Sequence, residues 1–326
     1  MMSPGSTKPL PKDPGGPTIK PVGLVLLRSA QPGQLDSYHQ EFIRGVESRL
    51  AQAGRSLLVM LQADPQKEIA TYRRWAQQGG IAGVILMNLR QDDDRVPLLQ
   101  ELGLPAVVIG DPAISDVYPA AFTDDRAAMV EALRYLMALG HQRIGRIAGP
   151  PELLHTLQRT EVYTQMMAAS GGAGCQRNGE YSFDSGKALT AELFAEVGGA
   201  SASSVAGSYA GGNAGSTTGS TIEATQPTAI IYDDAVMAMG GLAALAELGL
   251  AVPDQVSVLA WDDSVQCQLA GVSALSHDVA AYGELAAELL LSHVAQTAQP
   301  AGESAVSCAA EVPTLVKRCS TGPVPS

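Results

Sequence analysis

Three pairs of adjacent aspartates are the most chemically suggestive feature of the sequence: Asp124-Asp125, Asp233-Asp234 and Asp262-Asp263. Each closely follows a short apolar run (Ala120–Phe122, Ala229–Tyr232 and Val256–Ala260) that reads as a strand. An aspartate at the carboxyl end of a strand has two uses. It caps the next helix by accepting N–H groups, or it faces a ligand in the crevice outside the strand ends. A carboxylate accepts bonds from two neighbouring hydroxyls and a nearby arginine donates a planar fork, so such a rim suits a polyhydroxylated small molecule. Trp261, Tyr38, Phe122 and Tyr232 are candidates to cover the C–H face of a sugar, with core packing as the competing use.

Catalytic signatures are missing. Gly186-Lys187 lacks the earlier glycine of a phosphate-binding GxxxxGK loop, no GxGxxG follows a strand, and Ser208 and Ser216 lack the glycine spacing of a nucleophile elbow. Asp262, Ser264 and His277 have the residue types of a hydrolase triad, but those types co-occur by chance in a chain this long. The 5 histidines are scattered, and none lies at zinc-ligand spacing from Cys175, Cys267, Cys308 or Cys319. No enzyme, metal or cofactor is therefore expected. Without a Cys-x-x-Cys pair the cysteines read as free thiols of a reducing compartment; Cys308 and Cys319 could face each other on neighbouring strands, which the sequence does not decide.

With 326 residues the chain has room for two domains, and 46% hydrophobic residues supply a core. The net charge of −12 argues against nucleic acid as a direct partner, since phosphate contacts need a basic footprint. No apolar run approaches the roughly 20 residues of a membrane helix. No basic-then-apolar signal segment opens the chain, so a cytoplasmic location without membrane contact is expected.

The elements that must position these residues follow from periodicity. Strands are predicted at Val22–Leu27, Ser56–Leu61, Val84–Met87, Ala106–Ile109 and Ala120–Phe122. Between them lie a helix with Phe42, Val46 and Leu50 on one face, a helix opened by Asp64-Pro65 with Ile69, Tyr72 and Ala76 inward, and a short helix over Arg95–Leu102. A helix ending at Gly140 follows. Next come strand Arg143–Ile147, helix Thr156–Ala169, strand Glu180–Phe183, helix Ser185–Val197, strand Ala229–Tyr232, helix Ala235–Leu248 and strand Val256–Ala260. A helix over Tyr282–Ala295 precedes short strands near Val306–Ala309 and Leu315–Arg318. This alternation predicts an α/β fold of two doubly wound parallel-sheet lobes with a ligand cleft between them. The proline-rich residues 1–21 read as a mobile tail that cannot form a helix-turn-helix, and the Gly/Ala/Ser/Thr-rich residues 198–226 read as a flexible insertion.

Several stretches together resemble the effector-binding core of LacI/GalR transcriptional regulators, itself similar to periplasmic sugar-binding proteins. They are Ile231–Leu242 (IYDDAVMAMGGL), Glu247–Ser264 (ELGLAVPDQVSVLAWDDS), Leu136–Pro150 (LMALGHQRIGRIAGP), Phe42–Glu47 (FIRGVE) and Gly83–Leu86 (GVIL). The resemblance runs from about Val22 to Thr321. It implies a periplasmic-binding-protein-like type I fold with lobes at 22–140 plus 278–299 and 141–277 plus 300–320. It further implies a DNA-binding repressor core that senses a sugar or sugar derivative, closes on it, works as a homodimer and reaches operator DNA only through a headpiece this chain lacks. A solute-binding protein of a sugar transport system is the alternative. By position the resemblance assigns Arg159 to effector hydroxyls, Asp233 and Asp234 to the family's Asn-Asp pair, and Asp262 with Trp261 to its aromatic-Asp-Asp motif. His277 falls at a crossover position facing the effector, Asp124 near the cleft entrance, and Tyr38 where the family carries Asn-Pro-Phe-Phe; this chain reads Asp36-Ser-Tyr-His39 there.

Overall fold

The computed structural model describes residues 19–27, 36–198, 226–297 and 306–325. Most of the expected tail (residues 1–18) and of the expected insertion (199–225) lies outside them.

Two six-stranded sheets, each sandwiched by helices, form two lobes. The first contains β1 (Val22–Leu27), α1 (Ser37–Gln52), β2 (Leu57–Gln62), α2 (Pro65–Gln78), β3 (Gly83–Leu86), α3 (Arg95–Glu101), β4 (Ala106–Ile109) and β5 (Ala120–Phe122). The second contains α4 (Asp125–Ala138), β6 (Arg143–Ala148), α5 (Leu154–Ser170), β7 (Ala173–Asn178), α6 (Phe183–Gly198), β8 (Ala229–Tyr232), α7 (Ala235–Glu247), β9 (Ser257–Trp261), α8 (Val265–Leu269) and β10 (Ser273–Ser276). The chain then returns to the first lobe for α9 (Val279–Thr297) and β11 (Cys308–Ala309), and ends on β12 (Thr314–Val316) in the second.

The strand orders correspond: β11-β5-β4-β3-β1-β2 in one sheet and β12-β10-β9-β8-β6-β7 in the other. Every pairing is parallel except β10 with β12. Each sheet reverses winding direction once, at β1/β3 and at β6/β8. The loops on either side of such a reversal diverge and leave a crevice outside the strands' carboxyl ends.

Local sequence explains the elements. Asp64 caps α2 by accepting the Lys67 N–H at 2.8 Å, with Pro65 in the first turn. Phe42, Val46 and Leu50, one helical face of α1, are fully buried against Tyr282, Ala286 and Leu290 of α9. The two helices meet backbone to backbone. A Cβ on Gly45 would collide with the Ala280 carbonyl, and one on Gly283 with that of Phe42. Gly186 and Gly240 let α6 and α7 meet in the same way.

The structure departs from the sequence expectation at one strand and at two crossings, and adds α8 and β10, which periodicity did not announce. The strand expected at Glu180–Phe183 lies at β7, and Phe183 opens α6. β7 is a sheet edge with mostly half-exposed or exposed residues, so Ala-Gly-Cys-Gln-Arg-Asn carries no apolar alternation to announce it. α4 packs its apolar face on β6, α5 and β9, so the first crossing between lobes falls just before α4 and not at residue 140. β11 pairs with β5, so the last crossing falls after Ala309 and not at 300. For the same reason Cys308 and Cys319 stand on different lobes; all four cysteines are free. No helix among the described residues is long and apolar enough to cross a membrane.

Candidate ligand-binding site

The carboxyl ends of both sheets face each other across a cavity of about 110 Å³. Nearly every side chain around it comes from the residues just after a strand or from the first turns of the next helix. The first lobe supplies Asp36, Tyr38 and His39 at the start of α1, Asn88 after β3 and Gly110 after β4; the second supplies Asp125, Arg159, Asp233, Asp234 and Asp262. His277 sits at the second crossing. Two flanking cavities of about 270 Å³ each adjoin it, one past Thr123 and His155, the other past Tyr38, Asp262 and His277.

Arg159 is the electrostatic centre of the second-lobe wall. Its Nε and Nη2 donate to Asp125 Oδ1 at 3.0 and 2.8 Å, and Nη1 donates to the Asp233 carbonyl at 3.3 Å. The guanidinium carbon lies 3.6 Å above the centroid of the Trp261 ring. Trp261 is only 2% exposed, so its indole is a platform for Arg159 and not a free stacking face. Of arginine's five N–H groups, three are used by these bonds, which leaves donors on both terminal nitrogens for a ligand.

The acids divide sharply. Asp233 accepts from Arg146 Nε at 2.8 Å and Nη2 at 2.5 Å, with both side chains fully buried. Burial alone would push its carboxyl up, but Arg146 and Arg159 hold it below the ordinary range. Asp234 caps α7, its Oδ1 accepting from the Val236 and Met237 N–H groups at 2.7 and 3.1 Å. Burial followed by the nearby Asp36 charge nevertheless raises it to about 6. Asp262 is raised well above the carboxylate range, first by burial and then by Asp234. Its φ of 71° puts a non-glycine residue in the left-handed region, a conformation costing about 1–3 kcal/mol that clusters at functional sites.

Facing these acids, Asp36 caps α1 by accepting the His39 N–H at 2.8 Å and pairs with His39 Nδ1 at 2.7 Å. That partner outweighs burial and raises the imidazole's pKa. His155 is lowered to about 4, by burial and then by Arg159, and donates to or accepts from Tyr181 at 2.8 Å. His277 is lowered by burial, and its buried Nε2 has no partner among the described residues. Tyr38 lies beside His277, ring centroids 6.2 Å apart, its phenol held protonated by burial and by Asp262.

Behind the first-lobe wall, buried Arg95 donates Nη2 to the carbonyls of Met87 and Asn88 at 3.0 and 2.8 Å. It is held in turn by Asp93 and by Glu68, to which Tyr72 donates at 2.7 Å. This network fixes the turn in which Asn88 adopts φ 52° and faces the cavity.

Of the sequence-predicted residues, Arg159, Asp233, Asp234, Asp262, Trp261, His277 and Tyr38 meet around one cavity. Asp124 and Phe122 do not; they line a flanking cavity. Asp124 points its carboxylate at the Ala127 N–H (2.9 Å) to cap α4, which turns its neighbour Asp125 inward. Tyr232 is core, its hydroxyl bonded to Thr190 at 2.8 Å. Sequence reasoning named the Asp124-Asp125 pair but gave the cleft role to Asp124, and it left out His155, Tyr181, Asn88 and the Arg95 and Arg146 supports. Among the described residues no group of three or more His, Cys, Asp or Glu side chains is placed to hold a metal ion.

Comparison with known proteins gives a consistent pattern. Residues 133–321 match the family profile "periplasmic binding protein-like domain", and residues 21–177 match "periplasmic binding proteins and sugar binding domain of LacI family". The HTH-type transcriptional regulator AglR of Rhizobium meliloti is 27% identical over 246 residues, 74% of this chain; the chain spans only 61% of that relative's length. A LacI family transcriptional regulator from Bifidobacterium animalis subsp. lactis superposes with a TM-score of 0.75 at 27% identity, covering 93% of this chain and 98% of its own. A solved complex of the transcriptional regulator CelR with cellobiose shares the fold, with a TM-score of 0.75 at 21% identity over 93% of this chain and 85% of its own.

Proposed function

We propose that this chain, which belongs to the periplasmic-binding-protein-like family and carries its LacI/GalR-type effector-binding core, is the sensing part of a transcriptional regulator whose effector is a sugar or sugar derivative. The observation that carries the reading is the convergence of strand-end carboxylates and the Arg159 guanidinium, from two oppositely facing sheets, on one aromatic-lined cavity. Asp234 and Asp262 accept from ligand hydroxyls, the free N–H groups of Arg159 donate, and Tyr38 and Tyr181 cover apolar ring faces. Cellobiose in the CelR complex supports a carbohydrate as the ligand class.

Mechanism follows from the division of the site. A ligand bridging both walls binds the closed arrangement better than the open one, and shifts the equilibrium by that difference in affinity. The motion is taken up by the three crossings near Thr123, His277 and residues 310–313. In the full regulator, paired with a second copy, closure repositions a DNA-binding headpiece that lies outside this chain. Couplings of this kind are about 1–3 kcal/mol, a roughly 5- to 150-fold change in operator affinity. The test is titration calorimetry with a panel of mono- and disaccharides. Binding by at least one sugar, lost in Arg159→Ala, is expected; silence across the panel would overturn the reading.

A further inference from the structure

A count of charges around the cavity says more about the ligand than its shape does. Asp36, Asp125, Asp233, Asp234 and Asp262 all line it. Three of these five have their own cation: His39 for Asp36 at 2.7 Å, Arg159 for Asp125 at 2.8 Å and Arg146 for Asp233 at 2.5 Å. Asp234 and Asp262 have none among the described residues. Asp234 is nine-tenths buried and uses only Oδ1 for its cap; its Oδ2 has no hydrogen-bond partner among the described residues. Neither carboxyl oxygen of Asp262 has one. His155 and His277 are both held toward the neutral form, so they add no compensating charge.

We propose that the effector is an ammonium-bearing polyol, an amino sugar in chemical class, whose cationic nitrogen sits between Asp234 and Asp262. The inference rests on the effector reading above and narrows it. An ammonium brings three donors and the missing positive charge to two acids, one buried and one half-buried, that have no ion-pair partner of their own among the described residues. A neutral sugar brings donors without charge. A sugar phosphate or uronate finds donors on Arg159 but adds negative charge to a cavity that already holds two acids without an ion-pair partner of their own. Tyr38, adjacent to Asp262 and half-buried, offers a ring face to the same cation. The raised pKa values agree: Asp262 tends to keep a proton while the cavity lacks a cation, and Asp234, at about 6, is ionised near pH 7 without a cation of its own. When R–NH3+ takes the place of the Asp262 proton the carboxylate is restored and one H+ passes to solvent.

The experiment is titration calorimetry on the full chain with glucosamine, galactosamine and mannosamine, each against its parent hexose, its N-acetyl form and the hexose 6-phosphate. At least one free amine is expected to bind about tenfold or more tighter than its three counterparts. Asp262→Asn and Asp234→Asn, each verified as folded by circular dichroism, should reduce that preference to about twofold or less; Asn at 234 retains the capping oxygen. If a neutral or phosphorylated sugar binds as tightly as its amine, with binding lost in Arg159→Ala, the cation inference falls and the sugar-sensor reading stands. If no sugar or amino sugar binds, both fall.

Discussion

Replacing Arg146 by Met should destabilise the second lobe by stranding a fully buried carboxylate. Both Arg146 and Asp233 side chains are 0% exposed, and the substitution removes the two-pronged ion pair together with bonds to Thr160 (2.7 Å) and Gln176 (3.0 Å). Removing one member of a buried pair typically costs about 3–5 kcal/mol. Here the stranded Asp233 keeps Arg159 at 3.9 Å and the Gly149 N–H at 3.4 Å, so the lower end, about 3 kcal/mol, is expected. Removing both charges, in Arg146→Met with Asp233→Leu, leaves no buried ion and should return to within about 1 kcal/mol of the wild type. The coupling energy in the double-mutant cycle is then about 2 kcal/mol or more. Urea denaturation measures it. In a Trp75→Phe background the remaining tryptophan, Trp261, reports on the second lobe alone. The deficit also has a pH signature. Asp233 is held below its unfolded value, so its stabilisation is present above about pH 4 and is lost as pH falls through the folded value. Without Arg146 the burial cost dominates and the carboxyl protonates more readily, so the gap between variant and wild type should narrow in acid. A single-variant deficit below about 1 kcal/mol, or a double variant less stable than the single, would refute the argument.

Three further outcomes are expected. Asp234→Asn keeps the helix cap but removes a carboxyl whose folded value of about 6 lies above the unfolded one; such a group loses stability as pH rises from about 4 through 6, so the variant should gain on the order of 1 kcal/mol at pH 7 and nothing at pH 4, by urea midpoint. A sugar that binds should change Trp261 fluorescence by displacing or polarising the guanidinium 3.6 Å above it, and Arg159→Met should abolish that change even where some binding persists. Gly45→Ala places a methyl against the Ala280 carbonyl and should lower stability by roughly 1–3 kcal/mol, against less than 0.5 kcal/mol for a surface change such as Gln66→Ala.

Much of the candidate site was legible because α/β sheets put polar residues at strand ends, and apolar runs such as Ala229–Tyr232 mark where a strand ends. That rule alone reaches Asp233, Asp234 and Asp262. It does not choose between adjacent residues. Asp124 and Asp125 are chemically identical, and only the dihedral angles of the cap turn decide which one faces Arg159. Arg146 and Arg95 left no trace because a charged residue inside a strand or opening a helix reads as solvated until its buried partners are known; Asp233 lies 87 residues from Arg146 and Glu68 27 from Arg95, and the nearby Asp93 reads as one more surface acid in an Asp92-Asp93-Asp94 run. Trp261 was expected as a sugar platform; the sequence does not say that a cation from a distant helix already occupies its face.

The return of α9 and β11 to the first sheet has a consequence for biosynthesis. A nascent chain that has emerged only as far as Ser276 has all of α1 but none of the helix that covers it, so Phe42, Val46 and Leu50 stay open to water while the second lobe is already nearly complete. The first lobe's core therefore stays open long after α1 has been made, until Tyr282, Ala286 and Leu290 follow the whole run of elements from α4 to β10.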